Sequence, residues 1–267
     1  MTEQRKNFPE FYLTRPQICP YLPDRLERKL FTHLGRDKSQ VHFDFLHNDG
    51  FRRSQTIAYR PHCEGCSACV SVRIRVDEFV RSKSQNRVWR ANRDVISTRV
   101  GPFSSAEQYA LFKAYVEQRH DDGGMADMSL FDYQAMIEDS VVDSFVIEYR
   151  LPPTAVPTMA EPSAPSYSSA VAPPLIGAAL CDELNEGISL VYSFFDPLLD
   201  KRSLGTFIIL DAVARAKALG LAFVYLGYWV KGSPKMDYKV NFLPQDHLID
   251  GEWQRVEDRP SETSSDR

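Results

Sequence analysis

Apolar and polar residues alternate along Val70-Ser-Val-Arg-Ile-Arg-Val76, which puts Val70, Val72, Ile74 and Val76 on one face of a strand and Ser71, Arg73 and Arg75 on the other. Val41-His-Phe-Asp-Phe-Leu46 alternates in the same way and predicts a strand ending at the turn Asn48-Asp49-Gly50. Further strands are predicted at Thr56–Tyr59, Ser144–Tyr149, Leu175–Cys181, Ile188–Phe195 and Ala222–Val230. Helical spacing predicts a short helix over Arg25–Phe31 and longer ones over Ser82–Val95, Ala106–His120 and Leu130–Ser140. In the second of these, Lys83, Arg87 and Arg90 fall at i, i+4 and i+7 and share a face. A last helix opens at Arg202-Ser-Leu-Gly-Thr206 and closes at Leu219-Gly220. With its flanking strands it makes a strand–loop–helix–strand unit of about 40 residues, long enough for a parallel crossover.

The pattern stops between residues 152 and 174, where Pro, Ser and Ala dominate and charge almost vanishes. Such composition cannot bury a core, so this stretch reads as a flexible insertion between two strands that otherwise form a hairpin. The chain divides into residues 1–98, a smaller Cys-containing, basic α+β domain; 99–245, the strand–helix part; and 246–267, an acidic tail. The fold class expected is α+β, with a mixed sheet and flanking helices in the C-terminal part.

Across 267 residues the net charge is −4, which excludes a uniformly basic nucleic-acid coater. Between Phe51 and Val100, however, 11 Lys/Arg face 4 Asp/Glu, a local balance of +7 and the footprint of an electrostatic docking face. Cys63, Cys66 and Cys69 sit at x-x spacing on one loop, and Cys19 can fold back onto them. These four are candidate ligands for zinc or an iron–sulfur cluster. Cys181 lies in an apolar strand and reads as a packing thiol. The cysteine usage, the absence of an apolar leader in the first residues and of any 20-residue apolar run point to a reducing cytoplasm and away from membranes. The six histidines do not cluster at ligand spacing, and no Ser-His-Asp set, P-loop or Gly-x-Gly-x-x-Gly is present, which argues against a covalent hydrolase or an NTPase.

Arg202-x-x-Gly205 at a helix start resembles the anion-cradling turn of the N-acetyltransferase (GNAT) superfamily, although Phe207 stands where a small residue is wanted and would crowd a coenzyme A pyrophosphate. The plainer alternative is an N-cap by Ser203. Cys19-Pro-Tyr-Leu22, Asn48-Asp-Gly-Phe-Arg-Arg-Ser54, Tyr59-Arg-Pro-His-Cys-Glu-Gly-Cys-Ser-Ala-Cys69, Ser82-Lys-Ser-Gln-Asn-Arg87, Arg119-His120 with Gly124-Met125, Phe194-Phe-Asp-Pro197, Tyr225-Leu-Gly-Tyr228 and Lys235-Met-Asp-Tyr-Lys239 together resemble the bacterial aspartate/glutamate leucyltransferases, relatives of the eukaryotic arginyl-tRNA–protein transferases. The resemblance implies transfer of leucine from leucyl-tRNA to a protein N-terminus bearing Asp or Glu, feeding an N-degron pathway. It also implies an acetyltransferase-like fold in the C-terminal part. Where eukaryotic relatives carry paired cysteines this chain has Cys19-Pro-Tyr-Leu22 and a spread Cys63, Cys66 and Cys69, so a cluster transfers only as a hypothesis.

The reaction so implied is aminolysis of an ester, which needs alignment and an oxyanion site but no enzyme nucleophile and no required cofactor. Backbone N–H groups where the Ile188–Phe195 strand splays from its neighbour are candidates for the oxyanion site. Arg52 and Arg53 are the expected cations for the acceptor's acidic side chain, with Tyr228, Lys235 and Lys239 beside the substrates. Asp237 and Tyr238 are candidate proton relays. Arg81, Lys83, Arg87, Arg90, Arg93 and Lys231 are expected along the tRNA, and Phe194, Phe195 and Tyr228 around the leucyl side chain. The rival readings are an arginyl transferase of the same family, a coenzyme A-dependent N-acetyltransferase and a non-catalytic thiol–metal RNA sensor.

Overall fold

The computed structural model describes residues 9–35, 39–119, 125, 127–153 and 173–257. His120 and Gly124, most of the 152–174 insertion and the end of the acidic tail lie outside the described residues. In chain order the elements are β1 (Tyr12–Leu13), β2 (Gln17–Ile18), β3 (Leu26–Glu27), β4 (Lys29–His33), α1 (Ser39–Asn48), β5 (Arg52–Ser54), β6 (Ile57–Pro61), β7 (Cys69–Arg75), α2 (Lys83–Ala91), β8 (Ile96–Val100), α3 (Ala106–Arg119), α4 (Leu130–Glu138), β9 (Ser144–Arg150), β10 (Leu175–Leu184), β11 (Gly187–Phe195), α5 (Leu204–Ala218), β12 (Phe223–Val230), β13 (Gln245–Ile249) and β14 (Glu252–Val256). The fold is α+β: a large mixed sheet with flanking helices, and a smaller N-terminal sheet.

The large sheet has eight strands in the order β14-β13-β7-β12-β11-β10-β9-β8. Every neighbouring pair is antiparallel except β11 and β12, which run parallel around the α5 crossover. One face packs against α2 and α5, where Val72, Ile74, Val224, Leu226, Phe207 and Ile208 are buried. The opposite face carries two separate packings. Phe43, Leu46, Phe51 and Ala58, from α1 and the small sheet β1-β4-β6-β5, cover Tyr225 and Leu184. Phe112, Val116, Tyr133 and Ile137, from α3 and α4, cover Ala178, Leu180 and Phe194. Burial on both faces explains why β10 reads as a near-continuous apolar run.

Two predicted elements differ from those observed. Val41–Leu46 is helix, not strand, because Phe43, Asp44, Leu46, His47 and Gly50 are the buried positions. That is helical spacing, but two of its members are polar, while apolar Val41 and Phe45 face outward. Arg25–Phe31 is strand, not helix: its good helix formers are overridden by pairing of β4 with β1 and β6. Residues 246–256 of the expected tail, with Gln245 before them, form the hairpin β13–β14. β7 belongs to the expected 1–98 segment yet lies between β12 and β13, so the large sheet draws on both parts of the chain. No helix among the described residues is long and apolar enough to cross a membrane.

Candidate active site

Strands β11 and β12 pair over only three residues, Gly187–Ser189 against Phe223–Tyr225. They approach closely at Gly187, where an added Cβ would lie 2.4 Å from the Phe223 carbonyl oxygen. Beyond Ser189, β11 continues with β10, and β12 continues with β7, so the two diverge. At the start of this gap the β12–β7 register shifts between Tyr225 and Gly227, and Gly227 adopts φ +79°. A lone glycine inside a strand marks such a bulge.

Two cations turn toward Gly227. A Cβ built there would lie 3.8 Å from Arg52 Nε and 3.8 Å from Lys239 Nζ. Arg52 reaches this position because α1 ends in a turn at Gly50 and the chain then enters β5. Its Nη1 donates to His47 Nε2 at 2.8 Å, while its buried Nε and Nη2 have no partner. The guanidinium lies 5.6 Å from the Tyr228 ring and 5.9 Å from the Tyr225 ring, with no carboxylate paired to it among the described residues. Lys239 sits on a short 3-10 turn, Asp237–Asn241, is buried, and donates to the Tyr228 carbonyl at 2.5 Å. Burial, then the neighbouring Arg52 charge, lowers its ammonium to about 7. Two buried positive groups side by side without a counter-charge form an incomplete arrangement that an anion would complete.

His47 and Ser189 extend the cluster, with Nε2 of the ring 2.9 Å from Ser189 Oγ. Burial and the charges of Arg52 and Arg73 hold His47 well below its ordinary range, so the ring is neutral. Since Arg52 can only donate, Nε2 accepts and the proton sits on Nδ1. Tyr228 donates its hydroxyl to the Gly50 carbonyl at 2.8 Å, with the Tyr59 carbonyl at 3.2 Å.

The other expected site residues fall elsewhere. Arg53 is held by both oxygens of Asp182, at 2.8 and 2.7 Å, inside the protein, and is a structural ion pair. Asp237, Tyr238 and Lys235 are exposed on the loop that turns Lys239 inward. Phe194 is packed among α3 and α4, while Phe195 lies against Tyr115 and beside Gly205. Lys83, Arg87, Arg90 and Arg93 all face solvent along α2 and just after it, and Lys231 is exposed as well. Arg81 stacks over Trp89 at 4.5 Å. A capping box between Ser82 and Gln85 fixes the start of α2. The turn before α5 departs from both readings of it. Ser203 is left-handed and makes no side-chain cap, and Arg202 is engaged by Asp94 at 2.8 Å. Phe207 points into the core against Trp89 and Tyr149 and does not crowd the turn.

The thiols of Cys19, Cys63 and Cys66 lie close enough to Cys69 to add to burial in pushing its thiol up to about 12. Among the described residues, however, no group of three or more His, Cys, Asp or Glu is arranged to hold a metal ion. Cys69 is pulled into the β7 ladder opposite Val230, and Cys63 Sγ accepts the Arg28 backbone N–H at 3.4 Å. The expected zinc or iron–sulfur site is therefore not formed by these residues as they stand. Sequence reasoning missed His47, Ser189, Gly227 and Asp182. Only Gly227 carried a signal, as a glycine within an apolar strand.

The family described as arginine-tRNA-protein transferase matches twice, its N terminus over residues 17–87 and its C terminus over residues 107–249. The chain belongs to this family. It is 51% identical to the aspartate/glutamate leucyltransferase of Rhodopseudomonas palustris (strain BisA53), over 96% of this chain and 95% of that protein. It is also 51% identical to the enzyme of that name in Rhizobium etli, over 96% of each chain. The corresponding Azorhizobium caulinodans enzyme is 49% identical, over 97% of this chain and all of its own. These relatives are aminoacyltransferases by name, and both family segments contribute to the cluster: Arg52 comes from the first, Ser189 and Lys239 from the second.

Proposed function

We propose that this protein transfers leucine from leucyl-tRNA to the N-terminal amine of proteins beginning with Asp or Glu, marking them for an N-degron pathway in the cytoplasm. The supporting observation is the pair of buried cations, Arg52 and Lys239, that meet at Gly227 without a carboxylate. The acceptor's acidic side chain supplies that carboxylate, with Arg52 Nε and Nη2 as a ready fork. The α-amine then attacks the ester carbonyl of the leucyl group. A C–N bond forms, the C–O bond to the terminal ribose breaks, and the amine proton ends on the released hydroxyl. An α-amine of pKa about 7.7–8.0 has enough neutral form at pH 7 for this attack. Backbone N–H groups of β11 beyond Ser189, where its ladder with β12 stops, are suited to the developing oxyanion. The short β11–β12 pairing around α5 supports an acetyltransferase-like reading of this part of the sheet. The exposed Lys83, Arg87, Arg90 and Arg93 lie along the tRNA acceptor arm.

The test is transfer of labelled leucine or arginine from charged tRNA to peptides starting with Asp, Glu or Ala. Leucine on Asp and Glu but not on Ala is expected. Arginine transfer in place of leucine, or transfer indifferent to the first residue, would overturn the reading.

A further inference from the structure

A cavity of about 270 Å³ lies behind His47 and between α1, the β10–β11 turn and Tyr225. Its walls include Asp44, Glu186, Asn48, Leu184 and Tyr225. Asp44 is 8% exposed, and its Oδ2 has no hydrogen-bond partner. Its other oxygen accepts a long bond from Gln40, at 3.3 Å, and the Asn185 backbone N–H also donates to the carboxyl. Burial first, and the charge of Asp143 in addition, push this carboxyl above its ordinary range. A buried carboxylate with a vacant oxygen calls for a cation, just as the unanswered Arg52 calls for an anion. The amide of Asn48 and the apolar Leu184 and Tyr225 suit an organic cation rather than a bare ion, and no metal-ligand group occurs among the described residues.

We propose that this cavity binds a protonated primary amine on a short apolar body, and that its natural occupant is the α-ammonium end of the leucyl group on the donor ester. The choice of occupant rests on the function proposed above. The acceptor's amine must be neutral to attack, and carboxylates would hold it protonated. The donor's α-ammonium takes no part in bond making and gains from the same carboxylates. The cavity shares its His47 wall with the anion site, since His47 meets Arg52 at 2.8 Å and Ser189 at 2.9 Å. Two cations stand behind that wall. Arg73 is answered by Asp246 at 3.0 Å, and Arg52 is answered when an acidic acceptor arrives. Acceptor and donor therefore assist each other's binding.

The test is calorimetric titration of the full chain with leucinamide and with N-acetyl-leucinamide, which keeps the apolar body and lacks the ammonium. Leucinamide should bind, and the acetylated probe should bind at least about tenfold more weakly. Asp44→Asn and Glu186→Gln should each weaken leucinamide by about tenfold and leave the acetylated probe unchanged. Glu186 is exposed, so its variant is readable even if Asp44→Asn fails to fold. No leucinamide binding, equal binding of both probes, or insensitivity to Glu186→Gln would overturn the site. Displacement of leucinamide by leucyl-tRNA supports the donor assignment; displacement by an Asp-starting peptide instead would overturn that assignment. Binding that passes these tests in a protein inactive in leucyl transfer would refute the proposed reaction and leave the amine site standing.

Discussion

Arg52 and Arg53 are neighbours in sequence with opposite circumstances. Arg53 is closed onto Asp182 within the protein, whereas Arg52 keeps two nitrogens free. Arg53→Gln should cost roughly 3–5 kcal/mol of stability, because it strands a buried carboxylate, and denaturant unfolding measures this. Arg52→Gln should leave stability level or higher and lower kcat/KM for an Asp-starting peptide by about 100-fold, or ~2.7 kcal/mol. Lys239 gives a pH signature. Its ammonium is lowered to about 7 in the folded chain, against about 10.4 when unfolded, so the unfolded chain binds more protons between these values. The Lys239 contribution to stability is therefore least below pH 7, and it rises as pH climbs toward about 10.4. Lys239→Met should flatten that slope in unfolding curves. An arriving carboxylate should raise the lysine again, so peptide binding at pH 8 should take up more protons in the native protein than in Lys239→Met. Paired arginines were visible in the sequence as chemistry, but their division of labour was not. It depends on Asp182, about 130 positions away in the chain, and on which side of a three-residue strand each guanidinium leaves.

Elements were legible where burial and polarity agree. The α2 cation stripe and the strand–helix–strand unit appear as expected, and β7 is a strand as expected, although it buries polar Ser71 and Arg73 as well as Val72 and Ile74. α1 was misread because its buried face carries Asp44 and His47, the polar residues that serve the candidate sites. Functional demand disguised the helical period there. For α2, reversing charge at Arg87 and Arg90 should weaken tRNA binding and reduce the steepness of its salt dependence by about 1 per lost phosphate contact; filter binding at several ionic strengths checks this. In β12, Gly227→Ala meets no hard clash, its nearest contacts being the two cations at 3.8 Å, but it forces an alanine to φ +79°. A stability loss of about 1 kcal/mol is expected, with a raised KM for acidic acceptors because the methyl group takes the anion's place.

At the scale of the molecule, the net charge of −4 and the local excess of +7 are compatible because Arg81, Lys83, Arg87, Arg90 and Arg93 gather on α2 and its flanks, while Arg53, Arg60, Arg73 and Arg99 are paired with Asp182, Asp49, Asp246 and Glu183 from outside that segment. The segmentation read from composition did not reveal that β7 sits between β12 and β13. Strand neighbours far apart in sequence leave no local trace. A fragment beginning at residue 99 lacks that central strand and should fail to give the dispersed amide spectrum of a folded sheet, although it retains most of the C-terminal family segment. The same arrangement bears on how the protein is made. β7 leaves the ribosome early, but its partners β12 and β13 follow roughly 150 residues later. At about 5–20 residues per second that is a wait of about 8–30 s. Throughout it Val72 and Ile74 have no sheet to join, so the nascent chain carries an open strand edge that a holding chaperone, or rapid completion of translation, must shield from its neighbours.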